Sequence, residues 1–290
     1  MDLNELDDLL DDHPVDKKHH DRIIKAPFGF PGGKSKSVKH ILPLLPYRNV
    51  WVDVFGGSGV ITLNRHKSKV LDVYNDRWSG LVSFYRCISD YDLMQQMLTK
   101  LSLMPHSKEL FYESKDWNVK NDVNRASLWY YMMQHSFGGL ARNWGRSVNF
   151  RLPDYLKQLK RFPLIHSRMV ECQIDNDGWE NILHDYDSYD TVFYCDPPYI
   201  GTHMGMYRHS FTEDNLRDLL DTIMETKGFV ALSNYQNDLC DSYNWDSVHS
   251  WDTIATLQPG RETETNHRVG AGTGNMKRKE MLYIKEAGNK

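Results

Sequence analysis

One short run carries the densest chemistry in the sequence: Tyr194-Cys195-Asp196-Pro197-Pro198-Tyr199, at the end of an apolar stretch. Each proline fixes its own φ and removes an N–H donor. Each also pushes the residue before it towards extended geometry. The Asp196 carboxylate and the neighbouring carbonyls are left as a rigid set of acceptors, suited to an amino group with two hydrogens to give. The Tyr199 ring suits stacking on a flat partner. A strand that merely ends in a proline turn, with Asp196 as a solvated cap, accounts for the same letters.

Three further segments have the residue types to hold a ligand beside that run. Asp53-Val54-Phe55-Gly56-Gly57-Ser58-Gly59 puts an acid and a glycine turn in front of a helix start. Such glycines let a ligand approach the backbone closely. The dinucleotide fingerprint G-x-G-x-x-G is not met, because Thr62 stands in the third glycine's place; a structural turn is the competing reading. Asp76 follows at about 20 residues, the spacing of an acid that accepts the ribose hydroxyls of an adenosine-type cofactor. A helix cap explains an Asp there equally well. Phe30-Pro31-Gly32-Gly33-Lys34-Ser35 tempts towards a Walker A loop, but that loop needs a glycine where Phe28 stands. A phosphate loop is thereby disfavoured. Backbone donors and Lys34, ready for a carboxylate, remain.

The elements needed to position these residues are legible too. Val50 to Phe55 reads as a buried strand, Val60 to His66 as a helix start and Val70 to Tyr74 as a second strand ending in Asn75-Asp76. Leu81 to Leu103 has apolar residues at helical spacing, and Ser37 to Leu45 reads as a short helix stopped by Pro46. Strand, glycine turn, helix, strand and acid open a doubly wound α/β sheet. From Pro105 to Cys172 the alternation is lost amid aromatics, Asn and Arg. It resumes with a strand Thr191 to Cys195, a helix Glu213 to Glu225, a strand Phe229 to Leu232 and a strand at Met281 to Ile284. In open α/β sheets ligands bind beyond the carboxyl ends of strands, which is where Asp76 and Asp196 fall.

Bulk properties narrow the class without choosing a partner. The chain has 290 residues, 40% of them hydrophobic and 26% charged, enough for a sizeable core. No apolar run approaches the roughly 18 residues of a membrane span. The acidic start, Met1 to Asp12, lacks the features of a secretory signal. Four scattered cysteines show no metal or redox spacing, which fits free thiols in a reducing cytoplasm. The net charge of −4 is inflated by acids in the leader, whereas basic residues gather from Arg142 to Arg168.

The four segments, in this order, resemble the Dam-like family of N6-adenine DNA methyltransferases. Its members carry an aromatic-x-Gly-Gly-Lys loop, a D-x-F-x-G-x-G loop, an Asn-Asp pair after the second strand, an inserted target-recognition region and then Asp-Pro-Pro-Tyr. The matches are Phe30 to Lys34, Asp53 to Gly59, Asn75-Asp76 and Asp196 to Tyr199. Weaker echoes lie at Gly139-Leu140, Arg142-Asn143 to Asn149-Phe150, Ser233-Asn234 and Glu280-Met281-Leu282. Phe30 stands where the family often has tryptophan. The resemblance spans about Ile23 to Ile284.

The resemblance implies a Rossmann-like S-adenosylmethionine-dependent methyltransferase sheet with an inserted, mostly helical target-recognition domain. It divides the chain into a mobile leader at 1–22, a catalytic domain at 23–90 and 180–290, and an insertion at 91–179. Phe30, Gly33, Lys34, Asp53, Phe55, Gly57, Asp76 and Asp196 would hold S-adenosylmethionine. Asp196, Pro197, Pro198 and Tyr199 would handle a flipped adenine, with Ile200 to Tyr207 as a closing segment. Arg142, Asn143, Arg146, Asn149 and Arg151 would contact double-stranded DNA, and Lys157, Lys160, Arg161 and Arg168 suit phosphates. No metal and no enzyme nucleophile are needed, so Cys195 reads as a packed strand residue. A monomer or weak dimer is expected. Cytosine N4 remains open from the Asp-Pro-Pro-Tyr run itself, as does a silent DNA-binding protein of the same fold.

Overall fold

The computed structural model describes residues 23–116, 119–136, 141, 143–145, 152–200, 211–255 and 276–288. The acidic leader, Arg142, Arg146, Asn149, Arg151 and residues 201–207 of the expected closing segment lie outside the described residues. The strands are β1 (Val50–Asp53), β2 (Leu71–Asn75), β3 (Cys172–Asp175), β4 (Thr191–Cys195), β5 (Phe229–Tyr235), β6 (Ser247–Ala255) and β7 (Met276–Lys285). They form one sheet in the order β3-β2-β1-β4-β5-β7-β6. The first five pair in parallel and β7 runs antiparallel to both neighbours. Strand order reverses between β1 and β4, the switch point at whose carboxyl ends such sheets bind ligands.

The helices are α1 (Val38–Ile41), α2 (Val60–Asn64), α3 (Ser79–Ser89), α4 (Tyr91–Leu103), α5 (Lys108–Glu113), α6 (Asp122–His135), α7 (Leu152–Leu159), α8 (Phe162–Met169), α9 (Trp179–Asp185), α10 (Glu213–Glu225) and α11 (Asp238–Asp241). They cover both sheet faces because strand side chains alternate. Val52, Phe193, Cys195, Val230 and Leu232 meet Leu183 of α9 and Leu216, Leu219, Leu220 and Ile223 of α10. Trp51, Val192, Tyr194, Phe229 and Ala231 face the other way, onto Val38 and Ile41 of α1 and Val60 and Ile61 of α2. Burying each such side chain contributes about 1.5–3 kcal/mol. The Thr212 side chain and Asn215 close a capping box that starts α10 where its apolar stripe begins.

The α/β expectation holds, with local differences. The helical pattern over Leu81 to Leu103 is two helices, α3 and α4. Asp90 leaves helical geometry between them, and its side chain accepts from the Leu93 N–H to start α4. Strand β3 falls within 91–179 but pairs with β2, so the chain has rejoined the sheet by Cys172. Strand β6 has no counterpart in the sequence reading. Helices α4 to α8 share one aromatic core with α3: Phe84, Tyr85, Trp129, Tyr130, Phe162 and Tyr74 of β2 are all fully buried. Arg161 and Arg168, expected to suit phosphates, also have partners within the fold. The Arg161 guanidinium donates to the carbonyls of Lys25 and Ala26, and that of Arg168 to those of Leu63 and Arg65. Both therefore tie loops to the core.

Candidate active site

Asp53 ends β1 in register with Tyr194 of β4 and Tyr74 of β2. Its Oδ2 accepts from the Thr62 hydroxyl at 2.7 Å, and Thr62 accepts from the Trp51 indole N–H at 3.1 Å. Oδ1 is buried and has no hydrogen-bond partner among the described residues. Burial pushes this carboxyl up to about 7, against the Thr62 bond; Asp196 and Asp76 push the same way and Arg65 opposes. A buried acceptor left unmatched costs free energy, so Asp53 Oδ1 invites a donor from a ligand. Thr62, whose side chain spoils the dinucleotide fingerprint, instead fixes Asp53.

The turn after β1 holds its glycines for steric reasons. A Cβ on Gly56 would lie 2.2 Å from the Tyr74 ring, and Gly59 starts α2 at φ 65°, left-handed. Tyr74 and Tyr85 donate to the carbonyls of Gly57 and Ser58 at 2.7 and 2.6 Å, fixing the floor of the turn. Asp76 joins this floor to the next strand. Its Oδ2 accepts from the Gly57 N–H at 3.0 Å and its Oδ1 from the Trp78 N–H at 2.8 Å. The carboxylate therefore holds the turn that leads into α3 and also faces the glycine turn. Burial pushes it up to about 6, against its backbone bonds. Each of its oxygens keeps a lone pair for a further donor.

Asp196 lies just beyond β4. Lys34 reaches it from the glycine loop, with Nζ 2.6 and 2.7 Å from the two carboxylate oxygens and 3.0 Å from the Gly32 carbonyl. The same ammonium stands 3.4 Å from Glu280 Oε1, on β7, and 4.8 Å from the centre of the Tyr199 ring. Tyr199 donates its hydroxyl to Glu280. Burial pushes the Asp196 carboxyl up to about 6, with Lys34 opposing and Glu280 reinforcing. For Lys34, burial acts to lower the pKa, but the two carboxylates raise it overall. At neutral pH the cluster is thus a charged lysine shared by two acids.

Most of the expected residues meet at this edge of the sheet. Phe30 is half-buried, its ring 6.4 Å from that of Trp78, and it would lie 3.0 Å from a Cβ on Gly57. The Gly33 N–H donates to the Phe30 carbonyl at 3.0 Å, which closes the loop that delivers Lys34. Pro197 is buried and Pro198 half-buried beside Asp196. Phe55 turns towards Phe211, their rings 6.1 Å apart, and packs at the margin of the α10 face. Asn143 is exposed. Burial pushes the Cys195 thiol well up, in keeping with a packed role. Glu280 drew notice in the sequence only as an echo, and the Trp51–Thr62 support of Asp53 left no local signal.

Comparison with known proteins identifies the lineage. The family model for "D12 class N6 adenine-specific DNA methyltransferase" matches residues 30–257. The chain is 27% identical to modification methylase LlaI of Lactococcus lactis subsp. lactis over 195 residues, 62% of this chain and 30% of that protein. It is 23% identical to modification methylase StsI of Streptococcus sanguinis over 233 residues, 73% of this chain and 36% of that protein. It is 22% identical to type II methyltransferase M.CviBI of Paramecium bursaria Chlorella virus NC1A over 231 residues, 73% of this chain and 85% of that protein. The matched region thus spans only about a third of LlaI and StsI. Among the described residues no three His, Cys, Asp or Glu stand together as a metal site, and no helix is long and apolar enough to cross a membrane.

Proposed function

The chain belongs to the D12 class of N6 adenine-specific DNA methyltransferases, and from that premise we propose that it methylates adenine N6 in double-stranded DNA, with S-adenosylmethionine as donor. The observation that carries this reading is the juxtaposition at one sheet edge of Asp196, half-buried and held by Lys34, with the buried Tyr199 ring.

The residues present fit the donor. Asp53 Oδ1 is a buried acceptor without a partner among the described residues, matched to a cationic or N–H group. The glycine turn leaves no room for side chains where a ligand must approach, and Asp76 keeps acceptor capacity for ribose hydroxyls. Phe30, Gly33, Lys34, Asp53, Phe55, Gly57, Asp76 and Asp196 are assigned to this site. When bound, S-adenosylmethionine supplies an activated methyl group on a sulfonium. The protein's contribution is placement and charge. Asp196 and the Pro197 carbonyl accept the two N6 hydrogens, which directs the nitrogen lone pair out of the ring plane towards the methyl group. Tyr199 replaces part of the stacking lost when the base leaves the duplex, a step that costs a few kcal/mol.

Sequence reading is assigned to the helical insertion, with Arg142, Asn143, Arg146, Asn149 and Arg151 at the bases and Lys157 and Lys160 at phosphates. We place the catalytic domain at 23–90 and 180–290, with β3 added to its sheet. Family membership favours adenine over cytosine N4.

Incubation with methyl-labelled S-adenosylmethionine and unmethylated duplex DNA of mixed sequence, followed by digestion to nucleosides, tests the reading. Label on N6-methyladenine is the expected outcome. Label on N4-methylcytosine keeps the site and overturns the substrate. No label on DNA, with the cofactor demonstrably bound, overturns the reading as a whole.

A further inference from the structure

Lys34 poses a conflict for the proposed chemistry. It bonds both oxygens of Asp196, at 2.6 and 2.7 Å, the carboxylate that a target amino group must reach. Ammonium and entering amine are both donors, and Asp196 is a limited acceptor. Glu280 offers a way out. It is 4% exposed, and Oε1 lies 3.4 Å from Lys34 Nζ, so a small swing of the lysine exchanges one carboxylate for the other. A buried ammonium stripped of one anion without a second to receive it would be strongly disfavoured. Glu280 also accepts from the Tyr199 hydroxyl, which ties the stacking ring to the same carboxylate. Its place on β7, opposite Tyr235 of β5 in the ladder, makes the position rigid.

We propose that Glu280 is a positioning residue: it anchors Tyr199 and receives Lys34 when the target amino group displaces that lysine from Asp196. The inference rests on the assignment of Asp196 to the target amine. Lys34 is then a guard that keeps Asp196 ionised and satisfied in the empty site, and Glu280 is what lets the guard step aside. The titratable groups around Asp196 among the described residues are Lys34, Glu280, Tyr199, Tyr194 and Asp53. Among them Glu280 is the carboxylate that shares the lysine. Removing its charge leaves Lys34 on Asp196 alone, so Asp196 stays ionised to lower pH while it is harder to free.

Single-turnover methyl transfer against pH, with S-adenosylmethionine affinity measured alongside, tests this with two variants. Glu280→Gln keeps an acceptor for Tyr199 but removes the charge. It is expected to slow transfer by about 10- to 100-fold, to move the acid limb of the pH profile downwards and to leave cofactor affinity nearly unchanged. Glu280→Asp keeps the charge but retracts it. It is expected to slow transfer while the acid limb stays nearer that of the wild type. A structural loss alone would lower the folded fraction or the rate without moving the limb. Wild-type rate and limb in Glu280→Gln, beside a wild type that labels adenine N6, would overturn the inference and spare the function. A wild type that labels no DNA overturns the function, and the inference falls with it.

Discussion

The carboxyl edge of the sheet and the helical core beside it are built on opposite principles. At the edge, Asp53, Asp76, Asp196, Lys34 and Glu280 are buried or nearly so, and burial holds the Asp53, Asp76 and Asp196 carboxyls above their ordinary range. In the core of α3, α4, α6 and α8, fully buried rings pack edge to face or stacked: Phe84 lies 5.3 Å from Tyr130 and 5.5 Å from Phe162. Groups in the first region are placed at a cost in stability, whereas those in the second supply it. Substitutions should therefore separate by readout, chemistry in one and folding in the other.

The largest effect that tests this contrast belongs to the core. Phe162→Ala removes a fully buried ring and is expected to cost about 3–5 kcal/mol, read by urea unfolding. S-adenosylmethionine affinity per folded molecule should stay close to wild type. A loss of affinity without a loss of stability would break the division, because it would mean that the core shapes the site directly.

A smaller effect is expected from pH. The Asp53 carboxyl is pushed up to about 7, and those of Asp76 and Asp196 to about 6. All three stand above the ordinary value of 3.8, so folding shifts each of them towards its protonated form. Their destabilising contribution is full above about pH 7 and fades as pH falls towards the unfolded value. A cationic ligand reverses that preference. Affinity for S-adenosylmethionine should fall by about tenfold between roughly pH 8 and 5.5. Its thioether product, which lacks the sulfonium charge, should lose less. Calorimetry across that range checks it, and equal slopes would sharpen the account by moving the sensitivity to groups that do not face the sulfonium.

The two regions also differed in how legible they were. Asp53, Asp76, Lys34 and Asp196 stand out because glycines and prolines mark the turns that hold them, and a turn's chemistry is local in sequence. Strands β1 and β4 and helix α10 were legible for a similar reason, as short apolar runs or a capped periodic stripe. Glu280 was not, because its role depends on an antiparallel strand bringing it back over β5 from far along the chain. Nor was the support of Asp53 by Thr62 and Trp51, which needs α2 folded against β1. The insertion was opaque for a third reason. Its rings are buried against α3, on the other side of the supposed boundary, so neither segment shows its partner. Arg161 and Arg168 look like surface cations by composition, yet each donates to backbone carbonyls. Strand β3 is short and half-buried beyond Cys172, with no apolar run to announce it.

The most direct test of the central claim separates binding from transfer in Asp196→Ala. Thermal melting first establishes the folded fraction, since Lys34 loses one of its two carboxylate partners. S-adenosylmethionine affinity and single-turnover labelling of DNA are then measured on the same preparation. Measurable cofactor binding with transfer reduced by about a thousandfold is the result expected if Asp196 orients the target amine. Transfer near the wild-type rate would contradict the account and place the chemistry elsewhere in the molecule.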